Sequence, residues 1–346
     1  MKYVFLIQSH LAFYIYLQVK EYLKLSDSDV RFIIIRGYRN KYHPIDYLDL
    51  SEHYNNLLLH SPLKIDKAIE VIKDIDIKIN QLCENEEFEF FCNSFSLSLF
   101  QFIATYHNCK NIHIVEDGTK SYFKRQDFYF MKTKPLKLKI LETLKKLIST
   151  KHRTYFQRAP GLPEFPNNPS SKYYGIYEDV FPYVSNQQKV IFKKLYKDPL
   201  FPFQPFFNNA KLIIFDAVMV EQHRLMTEDE YIVFVLSSIR NTISSEKNIY
   251  YKMHPEQKKV ITDKLKEFLE NELKAHEISH DIPIEQIITH NENVEFYGFY
   301  SSLLFYAKRQ GHFVKSFIEG TKHPKLRQFA LDNFNDYFIK EIFKLT

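Results

Sequence analysis

Hydrophobic and polar positions along the first third of the chain alternate between two periods. Short β-branched and aromatic runs (Tyr3 to Ile7, Val30 to Ile35, Glu87 to Phe91, Asn111 to Val115) have the length and composition of buried strands. Between them, Leu11 to Leu23, Ile65 to Leu82 and Ser96 to Tyr106 place apolar residues three and four apart, the spacing of amphipathic helices. Strand, helix, strand, helix predicts a parallel sheet covered on both faces.

The alternation lapses and then resumes. Eight of the 14 prolines fall between Pro160 and Pro205 in a stretch of weak periodicity, which reads as a connector. Beyond it come a strand at Lys211 to Phe215 and a capping box, Thr227-x-x-Glu230, opening a helix to about Ile239. A strand at Asn248 to Lys252, a charged helix from Glu256 to His276, a loop with Pro283, a strand at Val294 to Phe296 and a helix from Ser301 or Ser302 follow. The expected organisation is a first α/β domain over 1–160, a linker over 161–209 and a second α/β domain over 210–346, whose aromatic last stretch, Phe329 to Leu345, reads as a helix crossing back over the core.

Composition narrows the function. A net charge of +5 over 346 residues is too mild for a dedicated nucleic-acid binder. Three cysteines, Cys83, Cys92 and Cys109, with no CxxC pair, argue against a disulfide framework or zinc knuckle and fit a reducing compartment. No run is long and apolar enough for a membrane span, and no secretory signal begins the chain, so a cytoplasmic address is expected. With 7 scattered glycines, neither GxGxxG nor GxxxxGK[ST] can be written.

Open α/β sheets bind ligands at the carboxyl ends of their strands, and three segments stand there. Glu116-Asp117-Gly118 follows the strand ending at Val115; a carboxylate before a turn-forming glycine suits a general base, and equally a solvated surface turn. His254-Pro255 follows the strand ending at Lys252; a histidine and a lysine at that edge suit a departing phosphate, although a lone histidine is more often structural. The dipeptide recurs at His43-Pro44 and His323-Pro324, where it reads as a turn. Gly298 precedes Ser301 and Ser302, which open a helix and offer hydroxyls with free N–H groups to a phosphate, or simply an N-cap. Asp27-Ser28-Asp29 and Asp74-Ile75-Asp76 read as solvated acids, so no metal ligand is assigned. The basic run from Lys132 to Arg153, interleaved with leucines, reads as a solvated helix face or a surface for anionic lipid.

Taken in order, these segments resemble the shared marks of the bacterial sialyltransferases: an acidic pair with glycine, a His-Pro and a later Ser/Thr pair. The resemblance spans roughly Tyr3 to Lys308 and includes Glu116-Asp117-Gly118-Thr119-Lys120-Ser121-Tyr122. It implies an α/β GT-B glycosyltransferase fold, two Rossmann-like domains facing a central cleft, with CMP-sialic acid as co-substrate, no cofactor or metal, and inversion at the anomeric carbon. It would make Asp117 the base, with Glu116 beside it and Gly118 and Ser121 on the acceptor side. His254 would act on the leaving phosphate, with Lys252, Pro255, Gly298, Ser301 and Ser302 on the donor side and Glu285 of Pro283-Ile284-Glu285 at the cytidine ribose. The expected acceptor is a terminal galactose or similar sugar of a lipooligosaccharide, O-antigen or capsule, with peripheral contact at the inner membrane and no nucleic-acid partner. CMP-Kdo transfer, polysialic acid extension and a non-catalytic glycan-binding subunit are the alternatives.

Overall fold

The structure is a computed structural model that describes residues 1–36, 38, 43, 45–54, 65–93, 98–123, 170–202, 207–243, 248–254 and 257–345. The chain forms two compact α/β units. One holds Met1–Ser121 and, of the described residues that follow, 170–194; the other holds Tyr122, Phe123 and the chain from Leu195 onward.

Among the described residues of the first unit, β1 (Lys2–Ile7), β2 (Val30–Ile34), β3 (Tyr47–Asp49), β4 (Phe88–Cys92), β5 (Cys109–Val115), β6 (Tyr173–Gly175) and β7 (Lys189–Ile191) make one sheet, ordered β3-β2-β1-β4-β5-β6-β7. Every pairing is parallel. β1 is central because Val4, Phe5, Leu6 and Ile7 are all buried, which suits a strand covered on both faces. Phe5 stacks on Phe91 of β4 at 4.3 Å and meets Tyr16, from helix His10–Leu23, edge-on at 4.6 Å. That helix begins at Ser9, whose side chain accepts the Ala12 N–H, and it ends at Lys24 in the left-handed region.

In the second unit, β8 (Lys211–Ile214), β9 (Ile249–Lys252), β10 (His276–Glu277), β11 (Glu295–Gly298) and β12 (Phe313–Ser316) form a second parallel sheet, ordered β10-β9-β8-β11-β12. Both orders reverse direction beside the first strand of their unit, the doubly wound pattern of Rossmann-like sheets. The expected capping box forms: Thr227 accepts the Glu230 N–H, Glu230 accepts the Thr227 N–H, and helix Glu228–Arg240 follows. Aromatic residues build much of this core; Phe305 stacks on Phe338 at 4.8 Å, and Tyr122 packs against Phe305 at 4.5 Å.

Several expectations change. The stretch expected as a connector over 161–209 supplies β6 and β7 of the first sheet, three residues each and too short for periodicity to register. The helix expected from Glu256 to His276 runs Lys259–Asn271, because the chain turns left-handed at Lys274. His323-Pro324, read as a turn, opens helix Pro324–Asn333: His323 Nδ1 accepts the Leu326 N–H and Pro324 sits where no N–H is needed. Phe329 to Leu345 divides between that helix and a π-helical turn, Phe338–Ile342, both packed into the second unit's core. The basic run 132–153 and Pro255 lie outside the described residues.

Candidate active site

The carboxyl edge of the first sheet gathers the acidic segment. β1, β4 and β5 lie side by side, with Phe5 level with Phe91 and Cys92 level with Ile114. Their ends release Gln8, Asn93 and Glu116-Asp117 at one edge. Gly118 takes φ +61°, a left-handed turn that a Cβ disfavours. Ser121 Oγ, fully buried, accepts the backbone N–H of Asp117 at 2.7 Å and fixes the turn.

The two acids have different surroundings. Glu116 is fully buried, and its Oε2 accepts the Ile176 N–H at 2.7 Å, tying the end of β5 to the segment after β6. Gly175 leaves the room: a Cβ there would come within 3.2 Å of that same oxygen and 2.6 Å of Val180 Cγ1. Glu116 therefore braces the scaffold and does not share the opening beside Asp117, unlike the paired acids the tripeptide suggested.

Asp117 keeps an accessible edge. Its Oδ1 accepts from Gln8 Nε2 at 3.0 Å and Asn93 Nδ2 at 3.2 Å, and Oδ2 has no hydrogen bond among the described residues. Burial of the carboxyl pushes its pKa above the ordinary aspartate value, opposed by Lys120, the Gln8 bond, Arg36 and the Asn93 bond. Tyr54, over whose ring Arg36 lies at 5.8 Å, has its phenol pushed up mainly by burial, with Arg36 opposing and the nearby Asp117 adding to the rise. A carboxylate held by one oxygen and open at the other can take a proton.

In the second unit, Asp216 stands just beyond β8, buried, with Oδ1 accepting the Val218 N–H at 2.9 Å and Oδ2 the Tyr300 N–H at 2.8 Å. Its pKa is pushed up to about 6 by burial, against the pull of those two bonds. Gly298 ends β11 where a Cβ would meet Ile214 O at 2.8 Å, so only glycine fits between the strands. Ser301 is the N-cap of helix Ser302–Arg309, its Oγ accepting the Leu303 N–H at 3.2 Å. Ser302 stays half-exposed, with no hydrogen bond from its side chain among the described residues.

His254 is half-buried after β9. Lys252, the last residue of β9, gives its ammonium to the carbonyls of Ser279 and His280 at 3.3 Å each and to that of Ile282, in the loop just past β10. Burial brings its pKa down to about 8, against the support of Glu285 and Asp281. Glu285 is buried in the first turn of helix Ile284–His290. Among the described residues no cluster of His, Cys, Asp or Glu could hold a metal ion. The three cysteines are free, and no described helix is long and apolar enough to cross a membrane.

Gln8, Asn93 and Asp216 do not belong to the three segments singled out in the sequence. One signal could have found them: each is the first polar residue after a buried strand, at the edge where α/β sheets bind.

The model of a family described as alpha-2,8-polysialyltransferase matches residues 16–315. No curated protein matches the chain. Among solved structures, a 2,6-sialyltransferase from Vibrionaceae Photobacterium sp. JT-ISH-224, complexed with donor product CMP and acceptor substrate lactose, superimposes with TM-score 0.53 at 13% identity, covering 95% of this chain and 75% of that one. The UDP-GlcNAc 2-epimerase of Neisseria meningitidis, bound to UDP-GlcNAc, gives 0.50 at 11% identity over 94% and 85%. S. aureus MnaA with UDP gives 0.51 at 10% over 95% and 82%. At these identities the structural likeness concerns the fold, which is the α/β GT-B type with parallel sheets.

Proposed function

The chain belongs to the alpha-2,8-polysialyltransferase family and is a glycosyltransferase, and from that premise we propose that it transfers sialic acid from CMP-sialic acid to the sialic acid end of a growing bacterial surface glycan. The observation that carries this reading is Asp117, at a strand-end edge with Oδ1 engaged by two amides and Oδ2 without a hydrogen bond among the described residues.

A sugar hydroxyl is a poor nucleophile, so its proton must leave as its oxygen attacks. Asp117 Oδ2 takes that proton. The acceptor oxygen bonds to the anomeric carbon, the bond from that carbon to the phosphate oxygen breaks, and the electron pair departs with CMP, inverting the centre. Charge grows on the phosphate as it leaves. His254 and the start of helix Ser302–Arg309, with the Ser302 hydroxyl and the first N–H groups, stabilise it. Gly298 lets the backbone pass close to β8. No metal takes part in this scheme.

The family name favours a sialylated acceptor and an α2,8 linkage. A second reading, transfer to a terminal galactose of a lipooligosaccharide, O-antigen or capsule precursor, is favoured by lactose in the Photobacterium complex. CMP release from CMP-sialic acid by the purified protein, in EDTA, separates them. Acceleration by α2,8-linked oligosialic acid supports the first reading, and acceleration by lactose alone supports the second. Absence of release with either acceptor, from CMP-sialic acid and from CMP-Kdo, by a folded protein overturns both and favours a glycan-binding role. Asp117→Ala and His254→Ala should each cut transfer by a hundredfold or more, roughly the scale of a lost acid–base group.

A further inference from the structure

We infer that Gln8 and Asn93 are positioning residues for the general base: they hold Asp117 by Oδ1 so that Oδ2 faces the hydroxyl to be deprotonated. The inference rests on the reading of Asp117 as that base.

The placement follows from the sheet. β1 and β4 run parallel and adjacent, and β4 pairs with β5, so the first residues past their ends share one edge. Gln8 lies between β1 and Ser9, whose side chain caps the next helix, so its backbone is fixed on both sides. Asn93 is 1% exposed and follows Cys92 directly. From these two anchors, amide N–H groups reach the same oxygen at 3.0 and 3.2 Å. Placing both donors on one oxygen fixes the carboxylate's rotation about its Cβ–Cγ bond as one bond alone could not. With the backbone N–H of Asp117 held by Ser121, the whole side chain is preorganised.

The choice of amides matters. A lysine or arginine bonded to the carboxylate would bring full positive charge and depress its basicity strongly. Neutral donors orient it and favour the ionised form more gently. Lys120 and Arg36 act on Asp117 through charge, and neither forms a described hydrogen bond to it; the Tyr54 phenol and the buried Glu116 carboxyl are also near it. Burial outweighs these pulls, so the base is stronger than an ordinary aspartate.

Gln8→Met and Asn93→Leu keep approximate volume and remove the donors. Each should lower kcat for CMP release to the acceptor found above by about tenfold, the scale of one charge-assisted hydrogen bond, with KM for CMP-sialic acid unchanged. Each should also move the acid limb of the kcat–pH profile upward, because a carboxylate that loses a donor to its charged form is protonated more readily. A purely structural role would reduce the folded fraction and leave that limb where it is. Wild-type kcat and an unmoved limb in Gln8→Met would overturn the inference, and this partly exposed position decides the matter if Asn93→Leu does not fold. Asp117→Asn separates the two levels. If it retains transfer, the base assignment itself fails; if it abolishes transfer while Gln8→Met and Asn93→Leu behave as wild type, only the positioning role fails.

Discussion

Asp216 and Tyr300, 84 residues apart, are joined where the Tyr300 backbone N–H donates to Asp216 Oδ2 at 2.8 Å. With Val218 N–H on its other oxygen, one carboxylate ties the end of β8 to the segment that leads into Ser301 and Ser302. Asp216→Ala leaves two N–H groups without their acceptor, at about 1–3 kcal/mol each when buried. The expected result is a lower melting temperature and a raised KM for CMP-sialic acid.

The same residue makes a pH signature. Its folded pKa of about 6 lies above the ordinary aspartate value of 3.8, so the folded state holds the proton more tightly than the unfolded state. The stability this contributes is present in full below pH 3.8, is lost as pH rises to about 6, and stays absent above. Asp216→Asn removes that dependence. Melting curves from pH 4 to 7 should show the gap between wild type and Asp216→Asn changing across this window and constant above it.

Asp117 shifts in the same direction, and in the proposed role of base this has a catalytic consequence. A base acts only when ionised, and one with a raised pKa loses activity at a higher pH than an ordinary aspartate. The acid limb of kcat should therefore lie above the usual aspartate range of about 3.9. Steady-state transfer measured from pH 4 to 9 checks this, and a limb at or below that value contradicts it.

The two serines should separate stability from binding. Ser301 caps its helix, so Ser301→Ala should cost about 1 kcal/mol in denaturant unfolding. Ser302 forms no side-chain hydrogen bond among the described residues, so Ser302→Ala should leave the midpoint nearly unmoved while raising the inhibition constant for CMP several-fold.

Gly298→Ala should be costly although the added group is one methyl. Its Cβ would sit 2.8 Å from Ile214 O, a main-chain atom of the neighbouring strand that side-chain rotation cannot relieve. About 1–3 kcal/mol of destabilisation is expected, read as a fall in melting temperature.

Much of the fold was legible because long elements write their period plainly. Ile65 to Leu82 emerges with the bounds its apolar spacing gives, and the Thr227 capping box forms with both hydrogen bonds. What escaped is short or ends without a mark. β6 and β7 have three residues each, and helix Ile284–His290 has seven, less than the period needs to declare itself. Lys24 and Lys274 turn left-handed where glycine is the usual sign, so the chain reverses there with no punctuation in the sequence.

For the candidate site, the strand-end rule pointed to Asp117, His254 and Ser301-Ser302, and each follows a strand in the structure. It did not distinguish Glu116 from Asp117, because adjacent acids look alike until Gly175 and Ile176 enclose one of them. Lys252 was expected to lend charge to its edge; sequence alone did not show that carbonyls of a loop 27 to 30 residues downstream hold its ammonium there. Convergence of distant strands is a property of pairing, which periodicity does not encode.

The parallel pairing of β1 with β4 also sets an order of events during synthesis. Phe5 finds its partner Phe91 only after the ribosome has made the intervening chain, and parallel strands cannot close through a local hairpin. Val4 to Ile7 thus emerge well before β4 and cannot complete their sheet until Phe88–Cys92 has left the exit tunnel. At roughly 5–20 residues per second, that interval lasts several seconds, a window in which the edge of β1 that will face β4 stays unpaired.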